Sequence, residues 1–464
     1  MNSLPDSSSI APLSGNTASD TARVVRLAPE SELRIEVEFG YSLTLKLIEG
    51  VAEVFGCEII VGREYRFSGQ KLGVFTWQAA GGADYVADDT PMPIFLNIHT
   101  ALEQRRATAE TMKTSGPRVV VVGAHDSGKT SLVKLLLNYA VRQGRQPMFV
   151  NLDISEGGVT MPGTVSAVMV DQPIYPEEEF GSLGLDLTAA GGSGAPIVYH
   201  YGFDTPNENT KLLQRLVGHL ADTVTARLVE DDDARQSGLI IDTHGCADHN
   251  EFELLMHIIK SFSADVVLVL GHERLHSDLL RAFQQQPQSN ISILKLTKLG
   301  GVARRDKSFR RQSQVRKIRE YFYGHPGNCE LSPFSLVVGF GDVNIFRVGE
   351  EHLVPSSALP LGADRKAGGT RLVAIEAGDI LLHSILAIVD AAPRSASTAG
   401  AGDSTNESQT QDEEDFLVLA NVLGFVYVSD VNSAKRKMTV LAPSATRLPS
   451  NRLVMGVFKW AETV

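Results

Sequence analysis

Cysteine is scarce in this chain. Cys57, Cys246 and Cys329 are far apart among 464 residues and form no CxxC pair. A zinc site built from cysteines is therefore not expected, and an odd, sparse count suits a reducing compartment. Long apolar runs are also lacking. The longest, such as Ile380 to Val389, are interrupted and too short to cross a bilayer, so no membrane partner is expected. No basic start followed by an apolar run opens the sequence, so no secretory leader is expected either. Positive charge is in deficit: 43 Lys and Arg stand against 55 Asp and Glu, a net charge of −12. That excludes a globally basic nucleic-acid coat but leaves room for a local basic patch. These absences describe a soluble intracellular protein, cytosolic or nuclear.

What is present is ordinary globular composition, 43% apolar and 21% charged, and a length that suggests about three domains. Residues 1–22, rich in Ser, Ala, Asp and Pro, are expected to be a disordered tail. Leu33, Ile35, Val37 and Phe39 then alternate with polar residues, the period of a half-buried strand. Further short runs (Leu43 to Leu47, Val51 to Phe55, Tyr65 to Phe67, Val74 to Trp77) extend a small all-β domain to near Thr90. Ile94 to Met112 predicts a connecting helix with Leu96, Ile98, Leu102 and Met112 among its apolar positions, closing a unit over 23–113. Residues 114–330 alternate strand-like runs (Arg118 to Val122, Met148 to Leu152, Leu239 to Ile241, Val266 to Leu270) with helical spacing, which implies a mostly parallel sheet covered on both faces. From Leu331 short strands return (Ser335 to Val338, Val343 to Phe346, Leu372 to Ile375, Leu423 to Val428, Lys437 to Leu441), giving a small β-rich domain over 331–464. Ser395 to Asp415 has almost no large apolar residue and is expected to be a disordered acidic loop.

The strongest signal is Gly123-Ala-His-Asp126-Ser127-Gly128-Lys129-Thr130, a G-x4-G-K-[ST] match placed directly after a strand and before a helix. The glycines let consecutive backbone N–H groups curl around a β-phosphate, and the helix N-terminus adds partial positive charge. Lys129 would reach the β and γ oxygens, and the Thr130 hydroxyl would ligate Mg²⁺. Two strand-end carboxylates, Asp153 and Asp242, could hold the ion through water or take a proton from an attacking hydroxyl; the plainer alternative, a strand-end Asp that caps a turn, weighs more for Asp242 than for Asp153. The basic segment 304–319, with Arg304, Arg305, Lys307, Arg310, Arg311, Arg316, Lys317 and Arg319, suits a lid over a triphosphate, an RNA-tracking surface or a solvated helix face. His125, His244 and His272 have no metal-ligand spacing and are taken as structural. These features specify an ATP- or GTP-binding P-loop core between two β-domains. They leave kinase, motor-like ATPase and nucleotide-stabilised scaffold open.

Several blocks carry a family likeness: Leu33-Arg-Ile-Glu-Val-Glu, Gly50-Val-Ala-Glu-Val-Phe-Gly56, Asn97-Ile-His-Thr-Ala-Leu-Glu103, Gly116-Pro-Arg-Val, Pro162-Gly-Thr and Ile318-Arg-Glu-Tyr-Phe-Tyr-Gly324. In this order they resemble the Clp family, which comprises polyribonucleotide 5′-hydroxyl kinases and the Clp subunit of the mRNA cleavage and polyadenylation factor. The resemblance runs from about Glu32 to the C-terminus. It implies an N-terminal β-domain, a central P-loop domain and a C-terminal domain, in a nuclear ATP-binding subunit of the pre-mRNA 3′-end machinery. Fungal-type members sit in cleavage factor IA on a scaffold subunit, whereas animal-type members phosphorylate RNA 5′ ends. It further implies that Glu32 and Lys71 are nucleotide contacts of the N-terminal domain; on residue type alone they would be surface charges. Asp126 to Ser131 match the phosphate loop. Asp153 matches the general base and metal-organising carboxylate, and Arg305 and Arg310 match lid arginines, with a further lid arginine falling on Gln314.

Two departures from the kinase pattern stand out. Active kinases resemble D-x-G-Q-G, where this chain has Asp153-Ile-Ser155-Glu156-Gly157, so Glu156 adds negative charge beside a site for phosphates. They also carry Thr-x-Gly-Trp, where this chain has Thr243-His-Gly245-Cys246. An aromatic stacked on a base contributes about 1–3 kcal/mol, which Cys246 cannot supply. The expectation is an ATP-binding subunit with weak or no kinase activity. An active 5′-hydroxyl kinase using Asp153, Lys129, Arg305 and Arg310 is the alternative.

Overall fold

The computed structural model describes residues 23–78, 86–87, 90–177, 195–246, 249–284, 291–298, 302, 305–325, 329–349, 369–390, 416–444 and 447–461. The expected tail 1–22, the loop 395–415 and Arg304 lie outside the described residues.

The N-terminal part is all β. Ser31–Val37 runs antiparallel to Gln70–Thr76, pairing Leu33 with Val74 and Ile35 with Leu72. Leu43–Lys46 pairs with Glu64–Phe67. Val37, Val54, Tyr65, Phe67, Leu72 and Val74 form the apolar core between these pairs. Helix α1 (Met92–Met112) follows. Phe95, Ile98, Leu102 and Ala109 form its buried stripe, while Leu96 and Met112, two of the apolar positions read from the sequence, are 36% and 68% exposed. One residue advances a helix by 100°, so Leu96 turns off the stripe that its neighbour Phe95 occupies. Arg106 of α1 is 1% exposed and donates through Nε to the Ser237 carbonyl at 3.0 Å, a buried cation with its donor satisfied.

The central sheet has seven strands in the order Ile197–His200, Thr164–Met169, Met148–Leu152, Leu239–Thr243, Arg118–Gly123, Val266–Leu270, Ser292–Leu296. The last five are mutually parallel, and Thr164–Met169 pairs antiparallel with both of its neighbours, Met148–Leu152 and Ile197–His200, so the mostly parallel expectation holds. Helices α2 (Lys129–Arg142), α3 (Thr210–Glu230), α4 (Asp232–Ser237), α5 (His249–Ser261) and α6 (Glu273–Gln284) accompany it, and α7 (Lys307–Tyr323) leads out of it. The ends of Arg118–Gly123, Met148–Leu152 and Leu239–Thr243 meet at one edge, where parallel sheets place ligands.

A second seven-stranded sheet forms the C-terminal part, with Ser384–Val389 at its centre between Val422–Asn432 and Arg452–Lys459. One apolar cluster runs without a break from the central sheet (Val150, Val165, Tyr201) to the C-terminal one (Phe425, Tyr427, Val454, Trp460). His200 sits at this junction. It is 8% exposed, and neither ring nitrogen has a hydrogen-bond partner among the described residues. Burial brings its pKa down from 6.5 to about 4.

The sign follows from linkage: the folded state holds His200 neutral while the unfolded chain takes up a proton, so stability present above pH 6.5 is lost as pH falls toward 4. About 2 kcal/mol is lost by pH 5 and about 3 kcal/mol in full. His200→Leu should flatten this part of the stability curve, measured by denaturant unfolding at pH 7 and pH 5. An unchanged difference between the two pH values would contradict the assignment.

Candidate functional site

The phosphate loop is set by local sequence. Asp126 (φ 52°) and Gly128 (φ 93°) adopt the left-handed conformation between the strand and α2, turning the chain back on itself. Lys129 is buried, and its Nζ donates to the Ala124 carbonyl at 2.9 Å. The Ser127 hydroxyl is buried with no partner among the described residues. Ser131 lies in the first turn of α2.

Thr130 Oγ1 donates to Asp242 Oδ2 at 2.7 Å. Asp242 is 1% exposed, and its other oxygen has no described partner. Burial first, then the charge of Asp153, push the Asp242 carboxyl up to about 7, against Lys129 and Thr130. A divalent cation would relieve both the crowding and the orphaned oxygen. Asp153 is organised differently. Its Oδ1 accepts from the Ser155 hydroxyl at 2.6 Å and backbone N–H at 3.1 Å, and meets His244 Nδ1 at 3.3 Å. Burial raises this carboxyl, but the His244 and Ser155 hydrogen bonds and the charges of His244 and Lys129 outweigh it and hold it well below the carboxylate range. The residues present therefore fit a phosphate group and a hard cation: Lys129 and loop N–H groups for the phosphates, Thr130 with Asp242 or Asp153 for the ion.

The lid arginines come to this loop from the first turn of α7 and from the residues just before it. Asp126 accepts the Arg305 backbone N–H at 3.0 Å and Arg310 Nη2 at 2.8 Å. Arg305 Nη1 pairs with Glu156 at 2.6 Å. Gln314, standing where the family likeness places another arginine, donates through Nε2 to the Ser155 carbonyl (2.9 Å) and to Asp204 (2.8 Å). Of the basic segment, Arg316 turns away to the Ser68 and Gly69 carbonyls of the N-terminal part.

Glu32 and Lys71 are not joined to the loop by any described hydrogen bond or ion pair. Lys71 pairs with Glu36 at 2.5 Å, and Glu32 with Arg34 at 3.4 Å. Burial pushes the Glu32 carboxyl up despite Arg34. The N-terminal part nonetheless grips the far end of α2. Asn138 Nδ2 donates to the Phe55 carbonyl at 2.9 Å, Glu53 hydrogen-bonds Tyr139, and Arg142 pairs with Glu53 at 3.0 Å.

On the other flank the segment 243–246 is fastened to the loop. Thr243 Oγ1 donates to the Val121 carbonyl at 2.7 Å and the Cys246 N–H to the Gly123 carbonyl at 3.0 Å. Any side chain at Gly245 would strike the His125 ring. Cys246 is 8% exposed, a buried thiol rather than a stacking platform. Sequence spacing did not single out His125 and His244 as a pair. They lie edge to face with centroids 4.7 Å apart, brought together only by the parallel pairing of their strands.

Comparison with known proteins follows the same division of the chain. Residues 26–109 match a model described as the N-terminal beta-sandwich domain of polyadenylation factor. Residues 123–324 match "mRNA cleavage and polyadenylation factor CLP1 P-loop", and 331–462 match "Pre-mRNA cleavage complex II protein Clp1". A "Protein CLP1 homolog" of Arabidopsis thaliana is 39% identical, covering 95% of this chain and 94% of its own. The "mRNA cleavage and polyadenylation factor clp1" of Botryotinia fuckeliana is 37% identical (94% and 92%), and the "Polyribonucleotide 5'-hydroxyl-kinase Clp1" of Homo sapiens 39% identical (92% and 94%). Among solved structures, a wild-type Clp1p–Pcf11p complex superposes with a TM-score of 0.77 at 27% identity, covering 95% of this chain and 98% of that one. A second Clp1p–Pcf11p structure, described as giving the structural basis for ATP loss in a glycine-to-arginine mutant, matches with the same TM-score and identity over 94% and 98%.

Asp126→Ala removes the acceptor that fixes the start of α7. Amide hydrogen exchange over 305–312 should become about tenfold faster, as loss of about 1–2 kcal/mol of charge-assisted hydrogen bonding requires. Unchanged protection would show that Asp126 does not hold the lid.

Proposed function

Because this chain belongs to the Clp1 family, we propose that it is the ATP-binding subunit of the pre-mRNA cleavage and polyadenylation machinery, acting in the nucleus. It is required there for endonucleolytic cleavage and assembles with the scaffold subunit of cleavage factor IA and other 3′-end processing subunits. Its nucleotide serves chiefly as a brace, with weak or no kinase turnover. The observation that carries this reading is the pairing of Arg305 with Glu156 at 2.6 Å. A lid arginine accelerates phosphoryl transfer by meeting charge that develops on the transferring group. A carboxylate already opposite that guanidinium competes for it and adds repulsion toward the phosphates.

ATP would be held by Gly123, Asp126, Ser127, Gly128, Lys129, Thr130 and Ser131, with Mg²⁺ on Thr130 and on Asp153 or Asp242. Asp242 is the carboxylate that touches Thr130. Glu32 and Lys71 would meet the nucleotide from the N-terminal side. A ligand held between parts that touch α2 and α7 stabilises the closed arrangement by mass action. RNA would approach along the basic segment 304–319, whose Arg304 precedes the described part of the lid.

The kinase reading keeps one specific support. Asp153 is oriented by Ser155 and His244, as a carboxylate that accepts the proton of a 5′-hydroxyl would need to be. The same hydrogen bonds hold its pKa low, which weakens it as a base.

The purified chain should carry unhydrolysed ATP, detectable by mass analysis, and should lose it after chelation of divalent ions. Lys129→Ala should bind none and melt several degrees lower; an unaltered melting point with nucleotide absent would end the brace reading. In a 5′-phosphorylation assay on 5′-hydroxyl RNA the chain should transfer little or no phosphate. Glu156→Gln combined with Cys246→Trp should raise transfer at least tenfold, and Asp153→Asn should abolish what is gained. Rapid turnover by the unaltered chain would favour the kinase.

A further inference from the structure

Three groups that neither the nucleotide nor the lid uses converge beside the loop. His125, His244 and Glu251 each offer a ligand atom, and these atoms all lie within 4.8 Å of one another. They come from three elements: His125 from the phosphate loop, His244 from the end of the strand Leu239–Thr243, and Glu251 from the first turn of α5. We infer that this trio binds a divalent transition-metal cation of the zinc class, a site that does not depend on the nucleotide reading.

The donor chemistry is selective. Two imidazoles with one carboxylate and an open fourth position suit Zn²⁺, Co²⁺ or Ni²⁺, whereas Mg²⁺ prefers oxygen alone. A second observation points the same way. His244 Nδ1 lies 3.3 Å from Asp153, so a neutral ring that donates there would turn the Nε2 lone pair to a cation. A ligating histidine is ordinarily oriented by such a carboxylate on its other nitrogen. His244 and Glu251 also line a cleft with Pro206, Leu213, Cys246 and Leu254, which gives the trio access to a water. The cation would fix the His244 tautomer that donates to Asp153, and so tie metal occupancy to the acceptor side of the nucleotide site.

The test uses the full chain, stripped with chelator and titrated with Co²⁺, with and without ATP and Mg²⁺, by visible absorption and calorimetry. The expected result is one Co²⁺ per chain at micromolar or tighter affinity, a four-coordinate spectrum, and retention in excess Mg²⁺. His244→Ala and Glu251→Gln should each weaken binding about tenfold or more. Glu251 is on a partly exposed helix turn, so its variant should keep the wild-type melting curve even if His244→Ala does not. Absence of saturable binding, displacement by Mg²⁺, or equal affinity in Glu251→Gln and wild type would overturn the inference. Nucleotide content measured on the same samples separates the readings. Lost cobalt binding with ATP retained defeats only the metal site, and lost ATP with cobalt retained defeats only the brace.

Discussion

The phosphate loop and all three parts of the chain meet at α7. Its first turn is pinned to the phosphate loop through Asp126. Its middle reaches the N-terminal β part, where Arg316 donates to the Ser68 carbonyl at 2.8 Å and Phe309 packs edge-on to Phe39. Its last turns belong to the C-terminal part: Tyr321 accepts the Phe425 N–H, and Phe322 stacks on Trp460. A single rigid helix thus touches all three parts of the chain. Any force that holds Asp126 in place is transmitted along it, because a helix of 17 residues resists bending far more than the loops around it.

Among the described residues, the cations at the loop lie close to carboxylates. Arg310 faces Asp126, Arg305 faces Glu156, and Lys129 lies near Asp153 and Asp242. The two aspartates are driven apart in acidity by their surroundings. Asp153 is stabilised as an anion by hydrogen bonds, and Asp242 is pushed up by burial and by its neighbour. Such a divided pair is a common sign of distinct tasks for two like groups. Here the physical division favours Asp242 for an ion beside Thr130 and Asp153 for the acceptor side.

The parts legible in sequence were those whose cause is local. The phosphate loop is a contiguous motif, and strands such as Met148–Leu152 are compact apolar runs. The two antiparallel strands at the sheet edge, Thr164–Met169 and Ile197–His200, escaped notice. Thr-Val-Ser-Ala-Val-Met is buried on both faces, so it shows no alternation that a period could reveal. Ser384–Val389 escaped for the same reason, although it lies at the centre of its sheet. In α1 the apolar residues were seen, but which of them face inward was not, because composition does not fix the phase of a helix.

Sequence by itself determined that this chain holds a phosphate loop, that a mostly parallel sheet carries it, and that the kinase-like residues at positions 156 and 246 are altered. The loop and the altered residues are each written within a few consecutive positions, and the sheet in the alternation of apolar runs with helical spacing over 114–330. Only the tertiary structure decided that Thr130 meets Asp242, that Glu156 answers Arg305, and that His125, His244 and Glu251 share a corner. Apart from His244 and Glu251, the partners are more than a hundred positions apart, and their geometry is fixed by strand register and helix docking, which no local pattern encodes.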